Sequence, residues 1–500
     1  MFVSHLLIKP NTLHSREYQD RILQSAVKNN TLVCLPTGLG KTAIAITLAA
    51  SRLEIFPDSK ILVCAPTRPL ANQHYRSFLK FMNMEEGSFQ VITGTIKPEM
   101  RKELYKSRKM IFATPQTIKN DTENGVLNLA DFSLLVLDEV HHAIGNYAYP
   151  FVSKKYYEQA KNPRILGLTA SPGGTKEKIS EICKNIGVEA VEIRTEKDED
   201  VIPYIKEKEI EWVYVDFPES FKQIRSHLSF VYEKQANNLK RLGFLKKKGI
   251  RKRDLLSLQK HLITSIGHGY KKAYTAVSVV TQMIKVEHAI GLLETQGISS
   301  LERYFKKLQK EDSKTAKKLL GNMDVSNAMF LANELFSNGA THPKMGRLCS
   351  IVSEHLKENR TSKIIIFANY RGTVSEIVGV LGGIENARPV EFIGQRGGIT
   401  QKEQVKRIED FKLGIYNILV CTSVGEEGID IPEMELAIFY EAVPSEIRNI
   451  QRRGRVGRTS FGKIIILLTK GTRDEAYYWA SRKKETKMRK ILMDVKKSWA

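Results

Sequence analysis

Five hundred residues with 42% hydrophobic side chains are enough for two to four packed domains. The formal net charge of +23 points to an anionic partner larger than a nucleotide, nucleic acid first and a membrane surface second. No apolar run reaches the ~20 residues of a membrane span. Met1 to Pro10 lacks a secretory core, and the five cysteines have no metal-ligand spacing, so the chain reads as a cytoplasmic protein with reduced thiols.

In chain order, the first informative stretch is Arg16-Glu17-Tyr18-Gln19, followed by the helical spacing Ile22, Leu23, Ala26, Val27. On such a helix Gln19 can offer its amide to a base edge, donor and acceptor together. Next comes Leu32 to Leu35, an apolar strand, which runs into Pro36-Thr37-Gly38-Leu39-Gly40-Lys41-Thr42 and then a helical pattern. Strand, glycine loop and helix in that order form a phosphate cradle. Backbone N–H groups close on phosphate oxygens and the helix dipole favours the charge. Lys41 reaches the β- and γ-phosphates and the Thr42 hydroxyl ligates Mg²⁺. The strict form of this loop has a glycine where Leu35 stands.

Strands then alternate with helical segments. The runs Ile61–Ala65, Val91–Gly94, Met110–Ala113, Leu134–Leu137 and Ile165–Leu168 each end in a polar cluster. This alternation predicts an α/β fold with a parallel sheet covered on both faces, and such sheets bind ligands at the C-terminal ends of their strands. Asp138-Glu139 after the fourth of these runs makes the cradle specific for hydrolysis. Asp138 holds Mg²⁺, largely through water, and Glu139 orients or deprotonates an attacking water.

From about Val201 the texture changes to helical spacing with dense lysine and arginine, including Lys240, Arg241, Lys246, Lys247, Lys248, Arg251, Lys252, Arg253 and Lys260. This predicts a helical domain with one basic face, either solvated or gripping a nucleic-acid backbone. The polar segment Asp312 to Asn327 reads as a mobile loop. Strand–helix alternation returns after Met345, with runs at Lys363–Ala368, Val390–Gly394, Tyr416–Cys421, Leu436–Tyr440 and Ile464–Leu468. Between the last two lies Gln451-Arg452-Arg453-Gly454-Arg455-Val456-Gly457-Arg458. Arg455 and Arg458 are three apart and share a helical face, as a pair of arginines aimed at phosphate would.

Together these stretches resemble a superfamily-2 helicase core of the DExH form. Arg16 to Gln19 is similar to the nucleotide-sensing Q-type motif, Thr37 to Thr42 to motif I, Asp138 to His141 to motif II and Thr169 to Ser171 to motif III. Ile365 to Arg371, Thr422 to Asp430 and Gln451 to Arg458 resemble motifs IV, V and VI. The long insert between motifs III and IV resembles that of the archaeal Hef and Fanconi-anaemia group M helicases, and of double-stranded-RNA sensors. Pro66 to Leu70, Ala113 to Gln116, Asp138 to His142 and Leu168 to Pro172 look most like Hef.

The resemblance implies two RecA-like domains, 1–202 and 339–500, with a helical insert domain at 203–338. It implies an ATP·Mg²⁺ site that includes Arg16, Gln19, Thr37, Gly38, Leu39, Gly40, Lys41, Thr42, Gly428 and Asp430. Catalytic roles fall on Lys41, Asp138, Glu139, Gln451, Arg455 and Arg458. It implies a nucleic-acid path over Thr67, Arg68, Gly94, Thr114, Arg371 and Thr422, joined on the insert by Lys247, Lys248, Arg251 and Arg253. The implied activity is ATP-driven remodelling of branched DNA such as forks and junctions, at the nucleoid in a prokaryote. An RNA-directed helicase or double-stranded-RNA-stimulated ATPase is the alternative. Full-length Hef carries a nuclease with a Glu-Arg-Lys motif, which is absent here, so a nuclease domain is expected only in a longer protein.

Overall fold

Runs of aliphatic residues form these strands because both faces of each sheet are covered, so every side chain along a strand meets apolar surface. The computed structural model describes residues 2–205, 208–245, 252–267, 271–394, 399–422, 434–443, 445, 448, 452 and 462–499. The first sheet contains β1 (Thr31–Cys34), β2 (Lys60–Cys64), β3 (Phe89–Ile92), β4 (Met110–Ala113), β5 (Phe132–Leu137), β6 (Ile165–Thr169) and β7 (Ala190–Ile193). Their spatial order is β3-β4-β2-β5-β6-β1-β7. The second contains β8 (Lys208–Val215), β9 (Ile364–Phe367), β10 (Pro389–Phe392), β11 (Ile418–Cys421), β12 (Leu436–Phe439) and β13 (Gly462–Thr469), in the order β10-β11-β9-β12-β13-β8. Every pairing is parallel. The two-sheet, helix-between architecture is the one expected from the sequence. Cys34, Cys64, Cys183 and Cys421 are buried thiols and Cys349 is half-buried.

Three details differ from the sequence reading. First, β8 falls inside the span assigned to the insert, yet it pairs along its whole length with β13 as the edge of the second sheet. Its alternation of Glu209, Glu211 and apolar residues suits an edge, and Lys463 pairs with Glu211 at 2.7 Å. The helices between the sheets therefore begin at Glu219–Arg241. Second, the segment expected to be a mobile loop forms the helix Lys314–Leu320 and the start of Met323–Ser337. Ser313 and Asn322 cap them, and Ala316, Leu319 and Val325 are buried. Third, the helix Lys271–Thr295 contains a stretch long and apolar enough to cross a membrane. Its Ala273, Ala276, Val280, Met283 and Leu293 are instead buried against other helices of the bundle.

The bundle is fastened to the second sheet's unit. Arg473 pairs with Glu287 at 2.9 Å and Glu294 at 3.3 Å, Arg225 donates to the Gly471 carbonyl at 3.0 Å, and His342 Nε2 lies 3.2 Å from the Glu294 carbonyl. The C-terminal helix Arg473–Trp499 starts there and runs to the first unit. Its Met488, Leu492 and Val495 join the core beside β5 and β7.

Inside the second unit, Lys344 is fully buried, donates to the Tyr440 carbonyl at 2.9 Å and forms an ion pair with Asp474. Asp474 also accepts from the backbone N–H of Ala442 and Thr469 at 3.1 and 3.2 Å. Removing one partner of such a pair leaves a buried charge uncompensated. Lys344→Met is therefore expected to destabilise the second unit by about 3–5 kcal/mol, read as a fall in its urea midpoint. An unchanged midpoint would show the pair to be dispensable.

Candidate nucleotide and nucleic-acid site

The phosphate loop is held from behind. β1 is buried throughout and ends at Cys34, and the helix α2 (Lys41–Ile55) begins seven residues later. Gly38 and Gly40 adopt φ of +86° and +75°, the left-handed region where a side chain is strained. The helix α1 (Glu17–Lys28) lies against this loop: Tyr18 Oη and Gln19 Nε2 both donate to the Leu39 carbonyl, at 2.8 and 3.1 Å. A Cβ on Gly40 would sit 2.4 Å from Gln19 Nε2. Gln19 is thus buried with one amide N–H on the loop, which it props from behind. Arg16 donates to Tyr18 Oη at 3.1 Å and stacks over Tyr204 at 4.9 Å. Lys41 Nζ rests on the Leu35 carbonyl at 3.1 Å, and no acidic residue lies in the first turn of α2, so nothing opposes an anion at that helix end.

Two strands away, β5 ends in Asp138. Two interstrand spacings separate the two loops by roughly 10 Å, room for phosphates and a hydrated cation. Asp138 is 6% exposed; its backbone N–H donates to the Cys64 carbonyl at 2.9 Å, and Tyr149 Oη donates to its carbonyl at 2.5 Å. Its Oδ2 lies 2.8 Å from His74 Nε2, a residue of α3 (Arg68–Phe81). Burial alone would raise this carboxyl. His74 first, then Lys41 and a backbone hydrogen bond, outweigh it and hold the group below the usual carboxylate range. Among the described residues, no group of three or more His, Cys, Asp or Glu is gathered to cage a metal. One ionised carboxylate and the Thr42 hydroxyl are hard oxygen donors that suit Mg²⁺ completed by water and phosphate.

Glu139 carries the strain. Its φ of +48° and ψ of 48° put a non-glycine residue in the left-handed region, at a cost of about 1–2 kcal/mol. Its Oε2 is buried and has no hydrogen-bond partner, although His141 Nδ1 approaches to 3.2 Å, poorly aimed. His141 Nδ1 also lies 3.3 Å from Thr169 Oγ1 at the end of β6. A strained backbone and a buried carboxylate oxygen without a hydrogen bond make Glu139 a candidate for a functional role.

The remaining strand ends form two rows. Thr67, Gly94 and Thr114 follow β2, β3 and β4, which are adjacent in the first sheet. Thr67 caps α3 by accepting from the Leu70 N–H, Arg68 and Gly94 are exposed, and Thr114 Oγ1 meets Thr117 Oγ1 at 3.0 Å. Arg371 follows β9 and is exposed, whereas Thr422 after β11 is buried and offers its side chain little access. Arg253 is exposed on the helix Lys252–Gly267. Gly428, Asp430, Gln451, Arg455, Arg458, Lys247, Lys248 and Arg251 lie outside the described residues.

Three contributors escaped the sequence reading: Tyr18, His74 and Arg452. Arg452 is fully buried, donates to the Glu441 carbonyl and to Asn369 Oδ1 at 2.8 Å each, and lies over Phe367 and Phe439. It ties the arginine-rich segment to the loop after β9. Glu441 itself, pushed up to about 7 by burial, accepts from the Asn369 N–H and from Thr373 Oγ1. His74 had a readable signal. It shares the buried stripe Ala71, His74, Phe78 of α3, a lone imidazole on an apolar face.

Comparison with known proteins adds an independent line. Residues 16–179 match the DEAD/DEAH box helicase family, residues 343–460 the helicase conserved C-terminal domain, and residues 220–334 the family described as "Putative ATP-dependent RNA helicase, helical bundle". The crystal structure of the Pyrococcus furiosus Hef helicase domain is 42% identical, with a TM-score of 0.75 over 95% of this chain and 100% of that one. A Methanocaldococcus jannaschii protein named "Putative ATP-dependent RNA helicase" is 43% identical over 99% of this chain. The Schizosaccharomyces pombe ATP-dependent DNA helicase fml1 is 32% identical over 93%. The Arabidopsis thaliana DEAD-box ATP-dependent RNA helicase FANCM is 33% identical over 92%. The chain spans 63%, 58% and 35% of those three relatives' own lengths.

The geometry separates binding from turnover. Lys41→Ala is expected to weaken nucleotide binding and stop hydrolysis. Glu139→Gln should still bind nucleotide with Mg²⁺ but lose hydrolysis, because an amide cannot take a proton from water. Fluorescent-nucleotide titration beside a phosphate-release assay distinguishes them, and near-normal release by Glu139→Gln would remove that residue from the chemistry.

Proposed function

The chain belongs to the superfamily-2 helicases and hydrolyses ATP, and from that premise we propose that it is a DNA helicase or translocase that remodels branched DNA such as forks and junctions. The observation that carries this reading is the match to the Hef helicase domain, which runs through both sheets and the bundle between them. The DNA-helicase name of the fission-yeast relative supports it. A nuclease domain in a longer protein, and a cytoplasmic or nucleoid location, belong to the same proposal. The alternative, an RNA-directed activity, is favoured by the RNA-helicase names of the archaeal and plant relatives.

In this reading ATP lies on the loop Thr37 to Thr42, with Arg16 beside it and Gln19 and Tyr18 bracing the loop. Lys41 leaves the Leu35 carbonyl for the β- and γ-phosphates. Thr42 and Asp138 would hold Mg²⁺, and the ion would supply charge neutralisation at the phosphates. Glu139 takes the proton of the attacking water. Gln451, Arg455 and Arg458, with Gly428 and Asp430, complete the site from the second unit when the two close. Thr67, Arg68, Gly94, Thr114 and Arg371 line the path of one strand, and the buried Thr422 backs it. The basic insert residues Lys247, Lys248, Arg251 and Arg253 grip the duplex arm.

Phosphate release measured with single-stranded, duplex and forked DNA and with double-stranded RNA tests the proposal. Fork DNA should stimulate most, and stimulation by RNA alone would overturn it in favour of the alternative. Arg455→Ala or Arg458→Ala should cut turnover by on the order of 10³, with ATP affinity falling far less. Wild-type turnover in both would remove the segment from the site. Neutralising Lys246, Lys247, Lys248, Arg251, Lys252 and Arg253 should lower fork affinity. It should also flatten the log K against log salt slope by about 0.9 per lost contact. An unchanged slope would leave these charges facing solvent.

A further inference from the structure

His74 is not among the residues that touch a nucleotide in the reading above, yet among the described residues its side chain hydrogen-bonds to the carboxylate that reading assigns to the metal. The imidazole is 5% exposed, Nε2 is 2.8 Å from Asp138 Oδ2, and Nδ1 is buried with no partner. A buried histidine held for packing alone normally satisfies both nitrogens. A carboxylate only accepts, so Nε2 carries the hydrogen. Two consequences follow from position. One carboxylate oxygen is fixed, so the other is turned to a defined side. And the anchor belongs to α3, a helix that begins at Thr67 and Arg68, in the strand-end row proposed to meet nucleic acid.

β2 and β5 are neighbours in register from Ile61↔Leu134 to Cys64↔Leu137, so the root of that loop and Asp138 are side by side. The imidazole lies seven residues along α3 from Thr67, about 10 Å at the helical rise. α3 is stiff at that length, with Ala71, His74 and Phe78 buried in its inner stripe. A shift of its first turn on binding a backbone therefore moves the imidazole against Asp138.

We propose that His74 is a positioning residue that orients Asp138 for its metal and transmits occupancy of the Thr67–Arg68 loop to the ATP site. The proposal rests on the reading of Asp138 as the metal-holding carboxylate. Groups that hydrogen-bond to a metal-holding side chain typically change metal affinity by about 10–100-fold when removed.

The test uses the whole chain in the Glu139→Gln background, where binding is read without turnover. A fluorescent ATP analogue is titrated with Mg²⁺, with and without single-stranded DNA. His74→Ala is expected to raise the half-saturating Mg²⁺ concentration about 10-fold while leaving Mg²⁺-free nucleotide binding unchanged. It should also abolish the change in half-saturation that single-stranded DNA causes in the parent. His74→Gln keeps an N–H for the carboxylate and suits a helix, and it should restore both. His74→Leu fills the space without a donor and carries the same expectation as alanine should the alanine variant not fold. Asp138→Ala is the control. If it shifts the Mg²⁺ dependence and neither donor-less His74 variant does, His74 only packs and the proposal falls while the site reading stands. If Asp138→Ala shifts nothing, the site reading falls and takes the proposal with it. A shifted Mg²⁺ dependence that still responds to single-stranded DNA as the parent does would overturn the transmission half.

Discussion

A parallel strand buried on both faces leaves charged side chains no place along its length. β1, β4, β5, β6, β9, β11 and β12 are buried at every position, and their backbone groups are used by neighbours on both sides. Charged chemistry is therefore confined to the residues after each of these strands. That constraint puts the phosphate loop after β1, Asp138 and Glu139 after β5, Thr169 at the end of β6, and the strand-end rows after β2 to β4. The site is a by-product of covering the sheet, and its spacing is set by the interstrand distance.

The second unit solves a different problem, because charged groups lie inside it. Lys344, Asp474, Glu441 and Arg452 are all buried, and each is hydrogen-bonded to backbone, to one another or to the side chains of Asn369 and Thr373. Such a network holds only if every member is satisfied. It joins the first residues of the C-terminal helix, the loops after β9 and β12 and the one described arginine of the arginine-rich segment. That helix then crosses to the first unit, where Ser171 Oγ lies 2.8 Å from Met488 Sδ. Among the described residues, this helix links the first unit at the end of β6 to the second unit's polar core, where its other end is held. The insert shares that lock through Arg473, so insert and second unit form one body on this side of the link.

Most strands were legible because continuous aliphatic runs ending in Gly, Pro, Thr or Asp have few other readings. β7 and β8 were not. β7 is four residues long, and β8 alternates glutamate with aromatic and aliphatic side chains, the pattern of a sheet edge, inside a span whose overall texture is basic and helical. The helix Lys314–Leu320 was missed because its lysines outnumber the apolar positions that bury it. At the site, residue types at fixed spacing picked out Lys41, Thr42, Asp138 and Glu139 as candidates. Spacing could not report that Gln19 spends its amide on Leu39, or that Arg452 turns inward, since both depend on what lies opposite in space. The Arg452 partners Asn369 and Glu441 are 83 and 11 residues away.

Glu139 shows why the buried strand and the strained residue belong together. A left-handed glutamate costs about 1–2 kcal/mol, and a buried carboxylate oxygen without a hydrogen bond adds to that cost. Burying a single leucine contributes about 1.5–3 kcal/mol, and β5 buries Leu134, Leu135 and Leu137 beside Phe132 and Val136. The strand therefore holds its last residues in a conformation they would not adopt alone. With Asp138 bonded to Cys64 and Tyr149 through its backbone, neither carboxylate can relax by unwinding the turn. Among the described residues, the side-chain contacts of the two carboxylates are with His74 on one and His141 on the other. A site built this way keeps its backbone fixed and leaves hydrogen bonding as the variable that nucleotide and nucleic acid can change.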